Sequence, residues 1–133
     1  MSSIVAAGEA VNRLVNPPDL PRPSGFSHAV VADRTVYLAG QIAAGDTLVE
    51  QFDGAAGRLV AALGAAGATP GDLVWLQVFV TDVAEYRDSL PALGQVWRRH
   101  FGRHYPAIGL FGVAGLFEPE AKVELMGIAV KQA

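Results

Sequence analysis

A chain of 133 residues, 51% hydrophobic and 17% charged, has room for one domain and one substantial core. Its formal net charge of −3 supplies no general field for nucleic acid or an anionic membrane. The lack of cysteine excludes disulfides, thiolate metal ligands and cysteine nucleophiles.

In chain order, residues 1–15 have neither a basic leader nor a long apolar run, so no signal peptide is expected and a cytoplasmic location is the default. They are expected to be an N-terminal extension or edge segment of a single domain over 1–133. No window reaches the ~18 uninterrupted apolar residues of a membrane span, so no membrane partner is expected. Residues 16–25, NPPDLPRPSG, hold four of the eight prolines and predict an extended, structured loop. His28–Ala32 and Thr35–Gln41 follow as two strands around a tight turn at Asp33-Arg34. The run VYLAG predicts burial of the second strand on both faces.

From about Leu48 to Ala66, Phe52, Ala56, Leu59, Val60 and Leu63 recur at three and four residues, the stripe of an amphipathic helix. Gly67 is its expected end cap. Thr69-Pro70 opens a short turn, and Leu73–Thr81 is β-branched and aromatic, the expected central strand. Asp82 and Glu85 have capping-box spacing, and Pro91 divides the second helix into pieces near 83–89 and 92–101. Strands at Ile108–Val113 and Ala121–Val130 close the chain, separated by a loop at Glu118-Pro119-Glu120. The order is β-β-α-β-α-β-β, an α/β (α+β) arrangement with a mixed sheet and two helices on one face. The opposite apolar face then needs a partner subunit, which also accounts for the apolar excess.

Six segments, SGFSHAV (24–30), VYLAGQI (36–42), AAGATPGDLV (65–74), VFVTDVAEY (78–86), YPAIG (105–109) and AKVELMGIAV (121–130), resemble in order and spacing those of the Rid family. These are the reactive intermediate deaminases, or YjgF-like proteins, also called L-PSP endoribonucleases. The resemblance covers the chain from Asn16 onward. It implies a chorismate-mutase-like fold, a homotrimer, and a small-molecule cleft at each subunit interface. It also implies hydrolysis of enamines or imines such as 2-aminoacrylate to keto acids and ammonia; no cofactor is expected, and no metal, since His28, His100 and His104 lack the spacing of a helical zinc pair.

Carried over residue by residue, the pattern departs from the active deaminases. Ile108 stands where they carry an arginine that forks onto the substrate carboxylate, and it offers no donor. Phe26 keeps a ring without the usual hydroxyl, and Gly94 replaces an asparagine. Ala39-Gly40-Gln41 is retained, as is Glu124, the carboxylate implied to position or activate water. The expected site is therefore Glu124 as the catalytic group, with Phe26, Gly40, Ile108 and Leu110 binding the ligand. Typical 2-aminoacrylate deamination is not expected, and a non-catalytic ligand-binding trimer is the alternative.

Several residues have simpler readings. Glu124 shares a face with Met126, Ile128 and Val130, and either titrates in a cleft or pairs with an arginine of another subunit. His28 is a candidate acid or base, or a satisfied structural histidine. Arg98, Arg99, His100, Arg103 and His104 form a basic cluster that suits RNA phosphates, a cleft anion, or simply a helix C-terminus. With no aromatic platform expected beside it, nucleic acid ranks last among partners.

Overall fold

The computed structural model describes residues 11–132. The first ten residues of the expected N-terminal segment lie outside them. Six strands, β1 (Arg13–Val15), β2 (Ala29–Ala32), β3 (Thr35–Gln41), β4 (Leu73–Val80), β5 (Ala107–Gly112) and β6 (Val123–Val130), form one sheet in the order β1-β2-β3-β6-β4-β5. All neighbours are antiparallel except β4 and β5. The helices are α1 (Leu48–Ala65), α2 (Val83–Asp88) and α3 (Leu90–Phe101). The sequence order is reproduced with one strand added, β1. Three residues with only the last buried carry no readable alternation, so β1 is defined by its pairing with β2.

Local chemistry explains the boundaries. The β2–β3 turn is closed by Asp33 at φ 55°, with Ala32 opposite Thr35. Thr47 and Glu50 exchange side-chain-to-backbone hydrogen bonds across the start of α1. At its other end Gly67 takes φ +84°, and Ala68 N–H returns to Leu63 O at 2.9 Å, a glycine-dependent reversal. Asp82 Oδ1 accepts from Glu85 N–H at the start of α2. Pro91 occupies the first turn of α3, where its missing N–H costs nothing, so this helix begins at Leu90.

One face of the sheet packs on α1 and α3. Val36, Leu38, Leu76, Val78, Val80, Val123 and Leu125 from the sheet meet Phe52, Leu59, Leu63, Val96 and Trp97 in one buried cluster. The other face carries Tyr37, Trp75, Phe79, Phe111, Glu124, Met126 and Ile128, none of them fully buried. Tyr37 is 51% exposed, so β3 is not covered on both faces as its sequence suggests. Within one chain only the helix side is covered.

Candidate functional site

The β6–β4 register puts Glu124 opposite Phe79, and Phe79 in turn opposite Phe111, whose ring stacks on it at 5.6 Å. All three therefore share the open face. Between Leu38 and Gln41 the β3–β6 register shifts, and there Gly40 comes against the Glu124 side chain. A Cβ on Gly40 would collide with the Glu124 carboxylate. The structure thus brings together two of the expected site residues, and glycine is what lets them meet. No ion pair among the described residues includes Glu124. Burial pushes its carboxyl above the ordinary value of 4.5.

Phe26 lies at the same end of the sheet. Its ring meets His28 edge-on at 5.6 Å and is 54% exposed. His28 itself is buried, donating from Nε2 to Pro21 O at 2.7 Å and accepting at Nδ1 from Gln41 Nε2 at 3.0 Å. Its backbone N–H donates to Asn16 Oδ1 at 2.8 Å. Both ring nitrogens are used, so the structural reading of His28 prevails. It pins the proline-rich loop to the sheet, with the Phe26 ring packed against it.

Ile108 and Leu110 lie elsewhere. Ile108 pairs with Leu76 and Leu110 with Val78, both core residues under the helices. The intervening Gly109 sits on the opposite face, where a Cβ would strike Phe111 and Trp75. Ile108 and Leu110 therefore point to the helix side at the free edge of the sheet, 45% and 40% exposed. The expected five-residue site does not converge within one chain, because Glu124 and Gly40 occupy the other face.

Much of the basic cluster is tied down. Arg99 donates to Asp53 Oδ2 at 3.1 Å, and His100 Nε2 donates to Asp53 Oδ1 at 2.6 Å, clamping α3 to α1. The His100 hydrogen bond, with the Arg99 charge added, holds Asp53 below its ordinary value. His104 Nε2 donates to Leu73 O at 2.7 Å. One expectation fails here: an aromatic platform does flank the cluster. Gly102, at φ 63°, turns the chain so that exposed Tyr105 stacks on Trp97 at 6.1 Å. That contact spans a helix end, where helical spacing is silent.

A cavity of about 490 Å³ that the sequence does not signal lies between Ile42, Asp46, Gln51, Arg58, Glu118 and Glu120. Gln51 is buried there, donating to Gly45 O and Glu120 O and accepting from Lys122 N–H. Its role is to tie the 118–122 loop to α1. Among the described residues no helix is long and apolar enough to cross a membrane.

A mixed six-stranded sheet with helices packed on one face, carrying a glycine-seated carboxylate on the other, defines an α+β protein of the chorismate-mutase-like class. The chain belongs to the family described as Endoribonuclease L-PSP, the YjgF or Rid family, whose profile matches residues 20–131. It is 32% identical to a Dermatophagoides farinae 2-iminobutanoate/2-iminopropanoate deaminase, over 89% of this chain and 95% of that protein. It is 29% identical to the Capra hircus protein of the same name, over 91% of each. Among solved structures, a YjgF-family member from Mycobacterium tuberculosis is 30% identical at TM-score 0.76, covering 90% of this chain and 99% of that one. A Thermotoga maritima structure reaches TM-score 0.80 at 29% identity, covering 91% and 98%.

Proposed function

We propose that this protein hydrolyses an enamine- or imine-like small molecule in a cleft formed between two copies of the chain. The observation that carries this reading is Glu124, a half-buried carboxylate of raised pKa seated on Gly40 in a member of a family containing named imine deaminases. In the reaction, ionised Glu124 takes a proton from water as the oxygen bonds to the imine carbon. Glu124 returns that proton to the nitrogen to give a neutral carbinolamine, and the hydroxyl proton then passes through Glu124 to the nitrogen as the C–N bond breaks, so that ammonia leaves. A carbonyl remains. No cofactor is needed for this sequence.

The opposite-face placement of Glu124 and Ile108 supports a two-chain cleft. Glu124, Gly40 and Phe26 come from one copy, and Ile108 and Leu110 from the next, in a homotrimer. Ile108 offers no donor, so the substrate is not held by its carboxylate from that strand position, and turnover of 2-aminoacrylate is correspondingly weak. The exposed apolar side chains of Phe26, Ile108 and Leu110 favour a second reading, a ligand-binding trimer without turnover. Ammonia release from freshly generated 2-iminobutanoate separates the two. Catalysis predicts release by the wild type and a drop of about 10²–10⁴-fold in Glu124→Gln. Equal rates in the two proteins would reject Glu124 as the base, and no release from either would leave the binding reading.

A further inference from the structure

The Glu124 carboxylate and the Gly40 backbone meet where the sheet is least able to hold them. Leu38 pairs with Gly127 and Gln41 with Leu125, so three steps along β3 are matched by two along β6. An extra residue of this kind interrupts the ladder hydrogen bonds, and the strand ends beside it then depend on support from outside the sheet.

That support comes from α1. Gln51 is 3% exposed, and its side-chain amide reaches both the loop that leaves β3 and the loop that enters β6. Nε2 donates to Gly45 O at 3.0 Å and to Glu120 O at 3.1 Å, and Oε1 accepts from Lys122 N–H at 2.7 Å. Two carbonyls and one N–H fit a primary amide in a single orientation. A carboxylate could not donate to the carbonyls, and an ammonium could not accept from the N–H. Arg58, seven residues on and so on the same side of the helix, donates from Nη1 to Ile42 O at 2.7 Å. Between them a Cβ on Gly54 would collide with that of Ala43, so the 42–46 loop lies directly on the helix.

Both tethers are close to the site. Ile42 is two residues past Gly40, and Lys122 two residues before Glu124. Two residues of strand span only about 7 Å, so a displacement at either tether is carried to the site with little loss. Glu124 has no slack to absorb it, because its carboxylate already fills the place a Gly40 Cβ would take. On the other side of β6, Phe79 lies opposite Glu124, and Thr81 N–H donates to Lys122 O at 3.2 Å. The Lys122 ammonium is paired with Glu85 of α2 at 3.3 Å.

We propose that Gln51, with Arg58, is a positioning residue: by tying the ends of β3 and β6 to α1, it sets where the Glu124 carboxylate stands over Gly40. Neither side chain touches the ligand. The effect on turnover rests on the reading of Glu124 as the base given above; the placement does not.

The test follows the side-chain carboxyl carbon of Glu124 by NMR across pH in the full chain, beside ammonia release from 2-iminobutanoate. Gln51→Met keeps the length and loses all three hydrogen bonds. In it the Glu124 midpoint should fall from its raised position towards 4.5, as a displaced carboxylate gains water. kcat should drop by about 10²-fold with KM little changed, because the base has moved. Arg58→Met, at a partly exposed position, should shift both readouts in the same direction by less, and it carries the test if Gln51→Met does not fold. Leu59→Ala, in the core of the same helix, should lower the melting temperature without moving the Glu124 midpoint. An unmoved midpoint in the folded variants, whatever their melting temperatures, would overturn the proposal and leave Gln51 a structural tether alone. A moved midpoint in a protein that releases no ammonia would refute only the deaminase reading.

Discussion

Glu124 and Gly40 depend on each other. A methyl group at position 40 would occupy the place of the carboxylate, so the glycine is needed for side-chain space rather than for an unusual φ. Burial raises the Glu124 pKa above 4.5, so the fold favours its protonated form. Its contribution to stability is therefore present at low pH and lost as pH rises from 4.5 through the raised value. Catalysis has the opposite sense, because the base must be ionised. The pH profile of kcat/KM should show an acidic limb with an apparent pKa above 4.5, and no such limb in the residual rate of Glu124→Gln. A wild-type profile flat down to pH 4.5 would contradict the assignment. Both residues are visible in the sequence as Ala39-Gly40-Gln41 and AKVELM, but their contact arises from a register shift between strands over 80 positions apart.

At the scale of elements, hydrophobic period and punctuation carried most of the fold. The stripe through Phe52, Leu59 and Leu63 does become the buried face of α1, and Gly67 does end it. Leu59 is fully buried, so Leu59→Ala should cost about 2–5 kcal/mol, measured by denaturant unfolding. A cost under 1 kcal/mol would mean that α1 does not anchor the core. Features that depend on non-local pairing stayed hidden: the three-residue strand β1, the Asp53 clamp on Arg99 and His100, and Tyr105 folding back on Trp97. The basic cluster looked uniform in sequence. Packing divides it into tethered Arg99, His100 and His104, and an Arg98 bent back towards Gly94 with no ion pair to any described residue.

At the scale of the whole molecule, the two halves of the candidate site face opposite sides of one sheet. Glu124 and Gly40 look out from the uncovered face, whereas Ile108 and Leu110 look towards the helix side at the β5 edge. Alternation within each strand was readable, but strand order was not. Without the β6-β4-β5 order, the two groups read as one cluster. Closed rotational symmetry would join the open face of one copy to the edge of the next and cover the exposed apolar side chains. The most direct test is complementation between Glu124→Gln and Leu110→Asp, each inactive alone in ammonia release from 2-iminobutanoate. After the two are unfolded and refolded together in equal amounts, random assembly should leave about a quarter of the clefts with both halves intact, and activity should return to that level. Mixtures that assemble but remain as inactive as the separate variants would contradict a site shared between chains.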